Sequence, residues 1–354
     1  MNILGIETSC DETSAAVLVD GEVRSNIISS QFIHRHFGGI VPELASRAHQ
    51  RLIVPVVEEA LTIAGVDKSK LSGIAVTAGP GLIGALLVGV NFGKAMAYAL
   101  RIPFVGVNHL EAHIYSNFIR SNFIKETSPQ KSEQISYPFI CLLVSGGHTQ
   151  LVRVTEPLKH ELLGETLDDA AGEAFDKVGK MLGLGFPGGP AIDALAKKGN
   201  PEFVKFPRSY LENFEFSFSG IKTSVLYWLR DKKLLSPTTY PAALISPSAL
   251  EPQLLADLCA SFQAAVIDVL AAKVLTAVKK FNIKDVAVAG GVSANSALRN
   301  RLQQLAAENN LRLSIPKLEY CTDNGAMIAH LGWMKLERGI RSTIELDAEA
   351  NLAL

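Results

Sequence analysis

Apolar residues at the start of the chain fall into three short runs separated by polar turns: N-I-L-G-I-E, S-A-A-V-L-V and E-V-R-S-N-I-I-S. Runs of this length, rich in β-branched residues and bounded by turn residues, read as strands. Asp20-Gly21 between the second and third is a hairpin signal. The period then changes. Pro42 to Ala64 repeats its apolar positions at helical spacing, and Pro55 inside it is expected to kink the helix or mark its boundary. Gly73 to Thr77 reads as a buried strand, A-G-P-G-L-I-G as a glycine-rich turn, and Ala85 to Leu100, apolar on most faces, as a packed helix. A strand from Phe104 to Val107 runs into N-H-L-E-A-H-I-Y, where Asn108 is a good N-cap for a helix carrying His109 and His113.

Residues 121 to 137 are polar and read as a connection between lobes. The opening pattern then returns: Phe139 to Val144, the tight turn S-G-G-H, T-Q-L-V-R-V and H-E-L-L-G. Helices are expected around Asp169 to Leu182 and Gly189 to Lys198, followed by an irregular, Pro- and Ser-rich region from about 200 to 252. A long helix at Leu254 to Phe281, a strand at Asp285 to Ala289, a helix at Asn295 to Asn309, a strand at Arg312 to Ile315 and a last helix at Asn324 to Arg338 complete the chain. A β-β-β-α-β-α pattern met twice indicates a duplicated α/β fold with a cleft between its halves, with ligands at the carboxyl ends of the strands. The expected lobes are 1–120, with 324–354 packing back on it, and 138–323.

Composition narrows the picture in three ways. At 354 residues the chain exceeds what one core usually supports, which favours two lobes. Its N-terminus lacks a signal-peptide pattern and no uninterrupted apolar run reaches the ~18 residues of a membrane span, so a soluble, cytoplasmic protein with no membrane association is expected. Cys10, Cys141, Cys259 and Cys321 are scattered without C-x-x-C pairing, as free thiols in a reducing compartment would be. A net charge of −1 gives no hint of nucleic acid.

The chemistry concentrates in a few stretches. His109 and His113 are four apart on one face of a helix start, a metal-ligand spacing that two structural histidines would equally show. Glu111 stands two residues after the first His, out of place for a zincin base. V-S-G-G-H-T and A-G-G-V-S-A-N each follow a strand with Gly-Gly, which lets backbone N–H groups approach an anion; ordinary turns are the alternative. Capping alone would explain Ser293, less readily Asn295. In F-P-G-G-P-A-I-D a ribose hydroxyl is a plausible target for Asp193, unless it only serves the helix dipole. Glu173, Asp176 and Lys177 form either a site or a solvated charged face. E-T-S-C-D-E-T, Glu7 to Thr13, gathers three acids at a hairpin. Asp323, before a helix, reads first as a cap.

Taken together, G-I-E-T-S-C-D-E-T, H-L-E-A-H, L-V-S-G-G-H-T, G-E-A-F-D-K, P-G-G-P, F-S-F-S-G-I-K, G-G-V-S-A-N and C-T-D-N-G-A, in this order over nearly the whole chain, closely resemble the tRNA N6-adenosine threonylcarbamoyltransferase family, once labelled sialoglycoprotein endopeptidases. The polar stretch near 121–137 and F-S-F-S-G-I-K-T resemble its bacterial members. The resemblance implies an actin/hexokinase-like, duplicated ribonuclease H-like fold. It also implies a reaction in which threonylcarbamoyl-AMP gives its acyl group to N6 of adenosine 37, in tRNAs reading codons that begin with A, releasing AMP. Carried over by motif, His109, His113 and Asp323 are the ligands of one iron or zinc ion. Leu143, Val144, Ser145, Gly146 and Gly147 cradle the phosphate region, and Asp176, Gly189, Asp193 and Asn295 hold the nucleotide or acyl group. Asp11 or Glu12 is the candidate to help remove the amine proton. Kinases and ATPases of this fold carry Asp-then-Gly in the first hairpin; Glu7, Thr8 and Ser9 stand here instead, which argues against ATP turnover. The implied partners are tRNA, a catalytically inactive paralogue of the same fold and a small P-loop ATPase. Competing readings are a metal-dependent peptidase, an ATPase or sugar kinase of the same fold, and an idle scaffold.

Overall fold

The computed structural model describes residues 1–121, 135–235 and 250–354; most of the expected polar connection (122–134) and part of the irregular region (236–249) lie outside them. The opening runs form β1 (Asn2–Glu7), β2 (Glu12–Val19) and β3 (Glu22–Ser30), an antiparallel meander. Asp20 and Gly21 both take positive φ, 51° and 81°, the backbone that a two-residue hairpin turn needs. Helix α1 (Pro42–Ala64) runs through Pro55 without ending there. Buried Ile53, Val56, Val57 and Ala60 anchor it on both sides of the missing N–H, so tertiary packing outweighs the proline. Next come β4 (Gly73–Gly79), α2 (Ile83–Leu100), β5 (Phe104–Asn108), α3 (His109–Tyr115) and the short β6 (Arg120–Ser121). The sheet order is β5-β4-β1-β2-β3-β6, with β5, β4 and β1 parallel.

The second half repeats this plan. Strands β7 (Phe139–Val144), β8 (Thr149–Glu156) and β9 (Lys159–Glu165) form a meander, followed by α4 (Ala171–Met181) and α5 (Gly188–Ala196). The region expected to be irregular holds a helix, α6 (Ser219–Asp231), which buries Ile221, Val225 and Leu229 at four-residue spacing. Its first turn is tied down from outside, because Asp168 accepts from the Phe218 and Ser219 N–H groups at 2.8 and 3.2 Å. Then follow α7 (Pro252–Phe281), β10 (Asp285–Ala289), α8 (Ser296–Asn309) and β11 (Arg312–Ser314). The order β11-β10-β7-β8-β9 reproduces β5-β4-β1-β2-β3 strand for strand.

Two helices, α2 and α7, are long and apolar enough to cross a membrane by length and composition. In α7, 72% of the apolar window is buried, as befits the central helix of a core built with Phe175, Phe262 and Val266. The chain divides into two compact units, Met1–Ser132 with Pro316–Leu354, and Glu133–Ile315. Asp323, expected in the second lobe, therefore belongs to the first. The reason is the last helix, α9 (Gly325–Glu337), which lies on the first sheet so closely that a Cβ on Gly5 would meet the Ala329 backbone N at 2.3 Å.

Candidate active site and metal centre

In the first unit, the carboxyl ends of three parallel neighbours, β1, β4 and β5, bring Glu7, Thr77 and Asn108 into line. Asn108 caps α3 as its sequence indicates, accepting from the N–H groups of Leu110 and Glu111 at 2.8 and 3.2 Å. The capped helix then starts with His109, one turn from His113, and the two rings stand edge to face at 4.6 Å. Asp323, at the entrance to α9, completes the cluster. Its Oδ1 lies 3.4 Å from His109 Nε2 and 3.1 Å from His113 Nε2. Asp323 is not a cap: Asn324 is, accepting from Met327 N at 3.0 Å. That leaves the Asp323 carboxylate for the imidazoles.

The three donors suit a divalent cation. Atoms held ~2.1 Å from a tetrahedral ion lie roughly 3.4 Å from one another; the two Asp323–imidazole separations are close to that, and all three donor atoms lie within 4.8 Å of one another. Nitrogen with carboxylate oxygen is a donor set that zinc and iron both accept. The electrostatics agree. Burial works against ionising Asp323, but the His109 charge and hydrogen bonds from both imidazoles outweigh it and hold the carboxyl well below its usual range. His109 loses basicity to burial and regains more from Asp323 and Glu7, ending well above an ordinary imidazole, whereas burial holds His113 below it. Asp323, with 22% of its side chain exposed, is the opening of the cluster.

Glu12 is pushed up to about 9, first by burial and then by the charges of Asp323 and Asp11. With Asp11 it forms the pair of carboxyls at the hairpin, and its surroundings favour its protonated form. Burial, reinforced by Asp323, also pushes the Cys10 thiol up, so it is no thiolate nucleophile. Glu111 turns away to Lys335 Nζ at 2.8 Å and is not available as a base for a peptidase.

In the second unit the remaining candidates form a chain of contacts. The V-S-G-G-H turn is closed by the Ser145 N–H donating to His148 O at 2.8 Å, and a Cβ on Gly146 or Gly147 would meet nothing within 4 Å. These glycines thus leave open backbone rather than fill a packed corner. Beside them, Gly290 at φ 85° crowds Val144, where a Cβ would fall 2.4 Å from the carbonyl oxygen. The Gly172 N–H at the start of α4 donates to Ser145 O at 3.2 Å. From α4, Asp176 accepts from the Gly188 N–H at 2.7 Å, next to Gly189. From α5, Asp193 accepts from Ser296 N and Oγ at 3.2 and 2.9 Å. Asn295 proves to be the cap of α8, accepting from Leu298 N at 2.9 Å, while Ser293 is buried with an unpartnered hydroxyl. This reverses the expectation for that pair. Glu173 and Lys177 pair at 2.8 Å on a half-exposed face, and Lys177 also reaches the mostly buried Asp169 at 2.6 Å.

Glu7, one of the three acids gathered in E-T-S-C-D-E-T and a departure from the ATPase pattern, has no individual role assigned to it by the sequence. The signal was present: an acid closing a strand that is otherwise apolar and buried.

A family model described as tRNA N6-adenosine threonylcarbamoyltransferase matches residues 22–330. Proteins of that name from Prosthecochloris aestuarii and Salinibacter ruber are 53% and 51% identical, over 96% and 100% of this chain and 95% and 100% of their own lengths. Among solved structures, HypF from T. kodakarensis aligns with a TM-score of 0.59 at 15% identity, covering 96% of this chain and 48% of that one. Full-length HypF in a phosphate- and nucleotide-bound form gives 0.58 at 12%, over 95% of this chain and 46% of that one. At such identities the likeness is one of fold alone, a two-lobed α/β fold of the actin/hexokinase-like kind.

Proposed function

The chain belongs to the tRNA N6-adenosine threonylcarbamoyltransferase family and is a transferase that modifies adenosine in tRNA, and on that premise we propose how its residues divide the work. The acyl donor is threonylcarbamoyl-AMP and the acceptor is N6 of adenosine 37, in tRNAs reading codons that begin with A. A bond forms between N6 and the carbamoyl carbon, the bond from that carbon to the phosphate oxygen breaks, and AMP leaves. Asp11 takes the proton that the amine loses, and protonated Glu12 stands beside it as a hydrogen-bond donor.

His109, His113 and Asp323 would hold one iron or zinc ion. Bound there with three protein ligands, such an ion supplies open positions that polarise and orient an acyl oxygen. In the second unit, the backbone N–H groups of Gly146 and Gly147 offer donors to the donor's phosphate, with Leu143, Val144 and Ser145 fixing the turn. Asp176, Gly189 and Asp193 hold the nucleotide, while Asn295, its side chain committed to the α8 cap and to Gln263, shapes the turn beside it. The observation that carries this reading is the convergence of two imidazoles and Asp323 from opposite ends of the sequence, 210 positions apart.

A net charge of −1 is low for a lone tRNA binder, and two of its arginines are held by acids, Arg47 by Glu43 and Arg208 by Asp268. The reading therefore includes a complex with an inactive paralogue and a small P-loop ATPase, in the cytoplasm where tRNA is. The test is to incubate the protein and those partners with threonylcarbamoyl-AMP and unmodified tRNA, digest the RNA and look for the modified nucleoside. Its absence while ATP or peptide is consumed would sink the reading. His109→Ala is expected to lose both the bound ion and the product.

A further inference from the structure

Glu7 is wholly buried, yet it is not among the three residues that face the ion position. Its Oε1 accepts from the Ser9 N–H. Its Oε2 accepts from Thr77 Oγ1 at 2.6 Å and lies 3.1 Å from His109 Nδ1. We propose that Glu7 is the positioning residue of the metal centre, holding His109 as the Nδ1–H tautomer so that Nε2 presents its lone pair beside Asp323. This rests on the reading of His109, His113 and Asp323 as metal ligands.

The hydrogen-bond inventory makes the assignment directional. An ionised carboxylate only accepts, so the His109 nitrogen facing it must carry a proton, and the ligand lone pair is left on the other nitrogen. Ser9 Oγ, 3.2 Å from the same Nδ1, could not dictate this, because a hydroxyl both donates and accepts. The strand geometry makes the arrangement rigid: Glu7 ends β1, Thr77 lies on the adjacent β4, and His109 follows β5 next to that. His113 has no such partner among the described residues, its Nδ1 being buried and unbonded, so of the two rings only His109 has its tautomer set by a carboxylate behind it.

Glutamine in place of Glu7 would fit the space but not the pattern. With its NH₂ on the Oε2 side, a donor faces His109 and pulls the proton to Nε2, blocking the ligand position. With the NH₂ on the Oε1 side, two donors meet at Ser9 N. Zinc titrations in competition with a chelator, on wild type, Glu7→Gln, Thr77→Val and His109→Ala, test this, with circular dichroism to verify folding of each. Glu7→Gln should bind zinc about 10–100-fold more weakly, Thr77→Val within about threefold of wild type, and His109→Ala not measurably. A folded Glu7→Gln with wild-type affinity, beside a His109→Ala that loses the ion, overturns the role of Glu7 and leaves the metal reading standing. Failure of wild type to bind zinc overturns both. If Glu7→Gln does not fold, imidazole ¹⁵N spectra of zinc-loaded wild type decide: His109 should show a protonated Nδ1 and a zinc-bound Nε2, and zinc on Nδ1 overturns the proposal.

Discussion

His330 on α9 is 4% exposed, and among the described residues neither of its ring nitrogens has a hydrogen-bond partner. Burial, with the nearby charge of Arg120, pushes its basicity down to about 4 from 6.5. The consequence has a definite sign. Above pH 6.5 the ring is neutral folded or unfolded; as pH falls from 6.5 toward 4 only the unfolded chain takes the proton, and stability is lost until both states are charged. The full loss is about 3 kcal/mol. His330→Leu should therefore flatten this part of the pH profile, measured as the difference between variant and wild-type denaturant midpoints across that window. Asp323 and Asn324 teach a related lesson at the same scale. Either could cap α9 by residue type, and only the bond from Met327 N to Asn324 assigns the cap and frees its neighbour.

Helix α9 is the element on which the candidate metal centre depends most. A Cβ on Gly325 would fall 2.6 Å from the Ala15 carbonyl carbon and the Ala16 nitrogen of β2, so the helix sits as close to the sheet as backbone allows. Gly325→Ala forces it outward, at a cost of about 1–3 kcal/mol, and carries Asp323 with it. The expected result is a lower melting temperature together with less bound zinc per chain, since Asp323 immediately precedes this turn. Most elements were legible from period and punctuation, including the duplicated meander and both histidine neighbours on α3. Helix α6 was not, because flanking Pro and Ser clusters outweighed its three apolar positions. Pro55 misled in the opposite direction, since burial on either side holds α1 together.

At the scale of the whole molecule, the last fifteen or so residues, outside any regular element, protect the exposed side of the first sheet. Strand β5 is its edge, and the tail bonds to it and to the end of β4: Ser342 N donates to Phe104 O at 2.8 Å and Asn108 Nδ2 to Ala353 O at 2.8 Å on β5, and Glu349 N donates to Ala78 O at 2.8 Å on β4. A bare edge exposes unpaired backbone groups. Truncation after Arg338 should thus raise hydrogen exchange in β4, β5 and α3 while β7 and β10 keep their protection; equal exposure of both sheets would contradict this role. Sequence by itself determined the local pieces of this protein: the strand and helix periods, the Asp20-Gly21 turn, the Asn108 cap, the repeated plan and the family motifs. Tertiary structure decided which pieces meet. Glu7, Thr77, His109 and Asp323 lie far apart along the chain and converge only because parallel crossovers set β1, β4 and β5 side by side and α9 returns to the first sheet, a proximity that no local pattern of hydrophobic and polar residues encodes.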